Sequence, residues 1–153
     1  REHGIPYFGR CYGMQLMVVE YARNVAKLKG AHTQEIDNDA PHQVVAVMES
    51  QTELLAKRSY GGTMRLGAEA VVLKPGTKAH AAYGEDTIHE RHRHRYEVSN
   101  LLRPQLEAQG LIVSGTFAHK DLVEIIELPN HPWFVASQFH PEFKSRPTRP
   151  APL

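Results

Sequence analysis

The strongest constraint on the fold is the pentapeptide at positions 9–13, Gly-Arg-Cys-Tyr-Gly, which contains the only cysteine of the chain, Cys11. An apolar segment at 5–8 precedes it. Apolar residues at three- and four-residue steps follow from Met14, as in an amphipathic helix. A Gly-x-nucleophile-x-Gly turn between a strand and a helix is a nucleophile elbow. It predicts a reactive Cys11 at the carboxyl end of a sheet, rather than the buried structural residue that is the alternative for a lone cysteine.

The elbow carries two further expectations. The turn is so tight that both flanking glycines are expected where a Cβ would clash with neighbouring backbone. The first N–H groups of the following helix are expected to bind a developing oxyanion and to lower the pKa of the thiol.

Length and composition predict the general class. A chain of 153 residues with 41% hydrophobic content predicts one domain with its own core. A net charge of +1 gives no reason to expect a nucleic acid or a membrane as partner, and no apolar run approaches the ~20 residues of a membrane span. A single cysteine excludes an internal disulfide and indicates a reducing, cytoplasmic setting. Because the first residue is Arg1, we expect the chain to be part of a longer one.

The remaining patterns predict an order of elements. A polar loop at 31–41 carries Glu35, and the glycine-rich stretch at 61–67 is interpreted as a bend between strands. Period-two alternation at 90–98 places Arg91, Arg93 and Arg95 on one side of a strand and His92, His94 and Tyr96 on the other. Strands are predicted at 5–8, 44–48, 68–73, 111–116, 122–128 and 133–139. Helices are predicted from Met14 to a stop at Gly30, at 79–83 and at 101–109, the last capped by Asn100.

His140 and Glu142 are candidates for the partners that a thiol nucleophile needs. The thiol requires a base that takes its proton, and the base requires an acceptor on its other ring nitrogen. The two residues follow the last predicted strand, separated by Pro141. In an extended segment, residues two apart point the same way, so the carboxylate can bond the imidazole. Cys11, His140 and Glu142 are therefore predicted to form a catalytic triad.

A metal site is the competing hypothesis for the histidines. His92 and His94 share a predicted face, with His89 near. Three flanking arginines repel a dication, and carboxylates or cysteines at metal-site spacing are missing from this stretch, so no metal is expected. A row of arginines favours recognition of carboxylate or phosphate.

Five stretches of the chain together carry a family resemblance. They are Gly-x-Cys-x-Gly-Met-Gln at 9–15, Gly-Gly-Thr-Met-Arg-Leu-Gly at 61–67, Glu-Arg-His-Arg-His-Arg-Tyr-Glu-Val at 90–98, Leu-Val-Glu-Ile-Ile-Glu-Leu at 122–128 and Gln-Phe-His-Pro-Glu-Phe-Lys-Ser-Arg-Pro at 138–147. With these stretches in this order, the chain resembles the C-terminal glutaminase domain of CTP synthases, which are triad-type (class I) glutamine amidotransferases, over nearly its whole length. The elbow and His-Pro-Glu are shared by all triad amidotransferases, whereas the second and third stretches are far more specific to CTP synthases. Residues 1–153 are therefore interpreted as a partial glutaminase domain without the synthase domain.

The resemblance implies a fold and a role for each matching residue. The fold is α/β and doubly wound, with a mostly parallel central sheet and accessory antiparallel strands, truncated at its N-terminus. Cys11 would attack the side-chain amide of glutamine, His140 would shuttle the proton and Glu142 would orient His140. Six positions match the family's contacts to glutamine: Tyr12, Gly13, Met14, Gln15, Glu35 and Arg95. By the resemblance, Arg95 would bind the α-carboxylate, Glu35 the α-ammonium and the Tyr12 N–H the oxyanion.

The resemblance also implies partners outside this chain. Ammonia would pass to the synthase domain of the same polypeptide, where ATP with Mg²⁺ activates UTP for amination to CTP. No cofactor is expected in the glutaminase domain itself. GTP would activate the full enzyme, which would be a homotetramer. By itself the chain is expected to make no CTP and to hydrolyse glutamine poorly, because the family's other oxyanion donor lies on an earlier glycine loop.

Two residues depart from the family pattern, and two alternatives to a glutaminase remain open. Arg10 and Tyr12 stand where the family usually has aliphatic residues, and a buried Arg10 would need a partner or exposure at the rim. The first alternative is a γ-glutamyl peptide hydrolase on the same fold. The second is a non-catalytic pseudo-glutaminase with a structural or assembly role.

Overall fold

The structure is a computed structural model that describes residues 1–47 and 64–153. It contains nine strands, three α-helices and a short 3₁₀ helix among these residues. In chain order they are β1 (Tyr7–Arg10), α1 (Tyr12–Asn24), β2 (Ala31–Thr33), β3 (His42–Val47), β4 (Arg65–Leu73), α2 (Lys78–Tyr83), β5 (Thr87–His94), β6 (Tyr96–Val98), α3 (Arg103–Glu107), β7 (Ile112–Phe117), β8 (Val123–Glu127), β9 (Phe134–Ser137) and the 3₁₀ helix Pro141–Phe143.

The strands form two sheets. The larger one has the order β1-β9-β8-β7-β4-β5, and the smaller one has the order β2-β3-β6. β1 pairs in parallel with β9, so that Arg10 lies opposite Ser137. The carboxyl ends of these two strands therefore meet at the same edge, which is where Cys11 and His140 follow.

Helix α1 packs the core between the two sheets. Its apolar stripe, including Met14, Met17, Val18 and Tyr21, is buried as the spacing predicts. A second apolar cluster covers the other face of the larger sheet around Phe139. Burial of these side chains is the main stabilising contribution to the fold, at about 1.5–3 kcal/mol for each fully buried large side chain.

The α/β class is confirmed, but the expectation of a mostly parallel sheet is wrong for the described strands. Two of their seven pairings are parallel, β1 with β9 and β2 with β3. The reason is chain connectivity. The links from β7 to β8 and from β8 to β9 are short, and a short link joins antiparallel neighbours, whereas a parallel pair needs a long crossover.

Several boundaries also differ from prediction. Helix α1 ends at Asn24, six residues before Gly30, and the loop predicted at 31–41 begins with β2. Helix α3 spans only Arg103–Glu107 and lacks the predicted Asn100 cap, because the Asn100 side chain donates to the Asp121 carbonyl at 2.5 Å. The predicted bend at 61–67 lies partly outside the described residues, and its end belongs to β4, where Gly67 has a φ of +100°.

The predicted alternation at 90–98 is confirmed along β5, where residues 87–94 alternate between exposed and buried. The chain then changes sheets at Arg95. β5 pairs with β4 in the larger sheet, whereas β6 pairs with β3 in the smaller one. Arg95 therefore lies at the junction between the two sheets. No helix within residues 1–47 and 64–153 has the length and apolarity required to cross a membrane.

Candidate active site

The elbow holds Cys11 in a backbone conformation that few residues adopt. Cys11 has φ 49° and ψ −109° and is the N-cap of α1. Its backbone N–H donates to the Ser137 carbonyl at 2.7 Å, which ties the turn to the end of β9. A positive φ in a non-glycine residue costs of order 1–3 kcal/mol and persists only where surrounding structure enforces it. The elbow is thus a strained turn at the end of β1 that is held in place by the end of the neighbouring parallel strand, β9.

Only one of the two flanking glycines is required for the reason that the sequence suggested. A Cβ on Gly9 would lie 2.7 Å from Tyr7 Cε1 and 2.9 Å from the backbone carbon of Gly13. A Cβ on Gly13 would meet only the Tyr7 hydroxyl outside its own helix, at 3.5 Å, which is an ordinary contact. The Tyr7 hydroxyl instead donates to the Gly13 carbonyl at 2.8 Å.

His140 and Glu142 are joined at the same edge of the sheet. His140 Nδ1 lies 2.8 Å from Glu142 Oε1. The bond spans the start of the 3₁₀ helix, so it depends on a tight turn and not on the extended segment that was predicted. Because the carboxylate only accepts, Nδ1 carries the proton, and a neutral ring presents a lone pair on Nε2. Nε2 is buried and has no hydrogen-bond partner among the described residues.

Arg10 is explained by this pair. Its side chain is 52% exposed at the rim and forms an ion pair with Glu142 Oε1, the oxygen that also accepts from His140. Burial acts to raise the pKa of Glu142, but the hydrogen bonds from His140 and Arg10 outweigh it and hold that pKa below its usual value. Arg10 therefore has both the partner and the rim exposure that a charge in this strand requires.

A cleft of about 560 Å³ opens beside the cysteine. It brings together five of the nine residues predicted for the site, namely Cys11, Tyr12, Gln15, Glu35 and Arg95. Gly13 and Met14 do not line it, and the Met14 side chain is fully buried in the core, so any contact they make is through their backbone. Glu35 and Arg95 place opposite charges on its wall, as a zwitterionic amino acid requires.

The pKa of the Cys11 thiol is raised, contrary to the expectation from the helix N-terminus. Burial is the largest cause, and the carboxylates of Glu35, Glu142 and Glu97 add to it. The backbone N–H of Tyr12 acts in the opposite direction, as the elbow predicts, but it is outweighed. The thiol is therefore mainly protonated before substrate arrives, which makes a nearby base necessary.

A buried cluster of charged groups, missed at the level of sequence, lies behind the cleft. Arg65 Nη1 donates to Glu97 at 2.9 Å and to Glu124 at 2.7 Å, and the guanidinium also pairs with Glu69. We call Arg65, Glu69, Glu97, Glu124, His92 and His94 the Arg65 cluster. Burial raises the pKa of Glu97 to about 7 and of Glu124 to about 8, against the lowering effect of Arg65. One buried guanidinium does not fully offset the burial of several acidic side chains, so the pKa values of both acids remain raised.

The histidines of the Arg65 cluster are kept neutral. Burial, together with the Arg65 charge, lowers the pKa of His92 to about 3 and of His94 to about 2. Possible ligand atoms of His92, His94 and Glu124 lie within 4.8 Å of one another. Two of these three groups already have other partners: Glu124 Oε1 accepts from Arg65 Nη1 at 2.7 Å, and His92 Nδ1 lies 2.9 Å from His94 Nε2. His89, the third histidine of the metal hypothesis, lies on the opposite, exposed face of β5. The contacts within the Arg65 cluster are those of a buried ion-pair and hydrogen-bond network.

Gln138 is the other site residue that sequence reasoning missed. Its side chain is fully buried, and its Nε2 lies 3.7 Å from the Cys11 sulfur. Its position two residues before His140 was the available signal.

Comparison with known proteins gives one consistent result. The model of the family described as "Glutamine amidotransferase class-I" matches residues 1–153. The chain is 58% identical over its whole length to the CTP synthases of Moorella thermoacetica and Carboxydothermus hydrogenoformans, and it spans 28% of the length of each. A structure of the Trypanosoma brucei CTPS glutaminase domain with bound acivicin aligns with 99% of this chain and 58% of that one, with a TM-score of 0.90 and 37% identity.

Proposed function

We propose, from the premise that this chain belongs to the class-I glutamine amidotransferase family, that it is the glutaminase part of a CTP synthase and hydrolyses glutamine through a thioester on Cys11. The observation that carries the proposal is the state of His140. One ring nitrogen is held by Glu142, and the other is buried without a partner among the described residues, at the sheet edge where Cys11 stands.

The proposed reaction follows the roles of these groups. His140 Nε2 takes the thiol proton as Cys11 Sγ attacks the side-chain carbonyl carbon of glutamine. The Tyr12 N–H stabilises the oxyanion. His140 then returns the proton to the leaving nitrogen, which departs as ammonia and leaves a glutamyl thioester. Water, deprotonated by His140, attacks the thioester, and glutamate is released with the thiol restored.

Arg95 and Glu35 are proposed to select free glutamine. A guanidinium can donate two parallel hydrogen bonds to an α-carboxylate, and a carboxylate can form an ion pair with an α-ammonium group. A γ-glutamyl hydrolase would instead have to accommodate a peptide on the amide side. Comparing ammonia release from glutamine with cleavage of γ-glutamyl peptides separates the two activities, and inactivity on both would favour a non-catalytic module.

Substitution of Arg95 tests the binding role. We expect Arg95→Ala to raise KM for glutamine about 10- to 100-fold with a smaller change in kcat, because a hydrogen bond to a charged group contributes ~1.5–3 kcal/mol. Arg149→Ala, an exposed arginine of the C-terminal tail, is the matched control and should leave KM unchanged. An unchanged KM in Arg95→Ala would assign the carboxylate contact to another residue.

The rest of the enzyme enters only by similarity. We propose that the ammonia serves an ATP- and Mg²⁺-dependent synthase domain of the same polypeptide that converts UTP to CTP, with GTP as activator and a homotetrameric assembly. The support is identity to CTP synthases of which this chain spans 28%. The need for a reduced nucleophile supports a cytoplasmic location.

Acivicin is a further test ligand, because the Trypanosoma brucei CTPS glutaminase domain has it bound. We propose that it occupies the cleft beside Cys11. We also propose that the 153-residue chain alone hydrolyses glutamine slowly. Its rate of ammonia release, compared with that of a CTP synthase that includes the synthase domain, tests this.

A further inference from the structure

Gln138 connects the nucleophile to the floor of the cleft. It follows β9, and its backbone N–H donates to the Glu124 carbonyl at 2.8 Å, which fixes its position in the sheet. Its side chain is fully buried, with Nε2 3.7 Å from Cys11 Sγ and Oε1 3.4 Å from Gln15 Nε2. Gln138 therefore contacts the reacting atom directly.

The orientation of the Gln138 amide follows from its partners. Gln15 Nε2 lies 3.2 Å from the backbone carbonyl of Tyr96, which can only accept a hydrogen bond. The NH₂ group of Gln15 must therefore be at this end of its amide, and it also faces Gln138. Gln138 must then present its oxygen to Gln15 and its NH₂ group to the sulfur. A backbone carbonyl thus determines, through two buried amides, which group faces the nucleophile.

A donor at this position matters because most of the surroundings oppose the thiolate. The sulfur lies 3.9 Å from the Arg93 carbonyl, an acceptor that favours the protonated thiol. Donors toward the sulfur are the Tyr12 N–H and the Gln138 amide. The charged and titratable groups of the elements around the thiol are Arg10 at the end of β1, Tyr12 at the start of α1, Glu35 after β2, Arg93 and His94 at the end of β5, Arg95 between β5 and β6, Tyr96 and Glu97 on β6, and His140 and Glu142 after β9.

From these contacts we propose that Gln138 is a further residue of the catalytic site, which donates a hydrogen bond to the Cys11 thiolate in an orientation imposed by Gln15. Loss of the thiol proton turns the sulfur into a strong acceptor, so this hydrogen bond is stronger in the thiolate than in the thiol. This hydrogen bond rests on the proposed function in one respect only, namely that the thiolate attacks the side-chain amide of glutamine.

The single cysteine of the chain gives a direct test. The rate of alkylation by iodoacetamide as a function of pH reports the titration of Cys11 and of no other residue. Gln138→Met keeps the length of the side chain and removes the donor, and we expect it to raise the alkylation midpoint by about one pH unit. Gln105→Met, the same substitution on the exposed side of α3, should leave the midpoint in place.

Gln15→Met tests the orientation. It frees the Gln138 amide to present either end, so a smaller rise in the midpoint is expected, and a midpoint equal to that of the parent chain would remove the orienting role of Gln15. A midpoint in folded Gln138→Met within ~0.2 pH units of the parent would overturn the proposal.

A second measurement needs no substitution at Gln138. In the parent chain, the side-chain amide protons of Gln138 should shift in NMR spectra with the same midpoint as alkylation, and this response should vanish in Cys11→Ala. Absence of a shift in the parent would overturn the proposal. Both measurements are made without glutamine, so a chain that shows the effect but releases no ammonia would contradict the proposed function and leave this inference standing.

Discussion

Arg10 shows how one side chain next to the nucleophile changes the properties of the site. It shares Glu142 Oε1 with His140, so its guanidinium stabilises the ionised form of the carboxylate that orients the base. The pair is partly exposed, so its contribution to the free energy of unfolding is small, about 0–1 kcal/mol. Its larger effect is expected in the pH range over which Glu142 remains ionised.

We predict that Arg10→Leu moves the acidic limb of the pH profile of kcat/KM for glutamine to higher pH. The pKa of Glu142 is held down by hydrogen bonds from His140 and Arg10, so removing Arg10 raises that pKa, and the carboxylate is then lost at a higher pH. Arg10→Lys keeps the charge and should keep most of the profile. Superimposable profiles for Arg10→Leu and the parent would show that the ion pair has no role in titration.

Several residue-scale features could be predicted from sequence and others could not. The elbow at Cys11 and the pairing of His140 with Glu142 depend on residues close in the chain, which short motifs report. The partner of Arg10 and the contact of Gln138 with the sulfur join residues more than 120 positions apart. Such contacts exist only once β1 and β9 pair, and the order of the elements along the chain does not predict which strands are neighbours.

At the scale of elements, the turn between β1 and α1 depends on Gly9 more than on Gly13. We predict that Gly9→Ala lowers the free energy of unfolding by about 1–3 kcal/mol, because the added Cβ would lie under 3 Å from Tyr7 and from the backbone of Gly13. Gly13→Ala adds its Cβ at an ordinary distance inside a helix, where alanine is favoured by roughly 0.5–1 kcal/mol. Urea unfolding of both variants measures the difference. Equal destabilisation would mean that both glycines are required by the elbow.

The Arg65 cluster links β4, β5, β6 and β8, and it should shape stability as a function of pH. Glu97 and Glu124 have pKa values of about 7 and 8, above the ordinary 4.5, so the folded chain binds extra protons and the free energy of unfolding falls as pH rises above 4.5. His92 and His94, with pKa values of about 3 and 2, bind fewer protons than the ordinary 6.5 implies, so the same free energy falls as pH drops below 6.5.

These opposing effects predict a plateau of stability between about pH 4.5 and 6.5 with a decline on both sides. Removing the Arg65 guanidinium should lower the free energy of unfolding across this pH range. We expect Arg65→Met to cost about 3–5 kcal/mol, because it removes the donor shared by Glu69, Glu97 and Glu124 and leaves two of these acids buried without the hydrogen bond that it supplied. Arg149→Met, an exposed arginine, is the control. Unfolding free energies from pH 4 to 9 test both points. Stability that rises steadily from pH 6.5 to 8 would contradict the assignment of the protons.

The order of elements in the described residues was largely predictable, because apolar periodicity reports which segments are helices and strands. The direction of strand pairing was not, since periodicity says which face is buried and nothing about which strands are neighbours. The division of 90–98 between two sheets at Arg95 shows the same limit. One uninterrupted alternating pattern covers both strands, and only their partners, β4 and β3, separate them.

For the molecule as a whole, the proposed reaction requires that Cys11 form a covalent bond to the glutamyl group of glutamine. The most direct measurement is the mass of the chain after brief mixing with glutamine and quenching in acid, which requires a single turnover and not sustained hydrolysis. We expect a glutamine-dependent mass increase of one glutamyl group on the peptide that contains Cys11, and no such increase in Cys11→Ala. Ammonia release that persists undiminished in Cys11→Ala, or glutamine turnover by the parent chain with no adduct on Cys11 in the quenched samples, would contradict the proposed reaction.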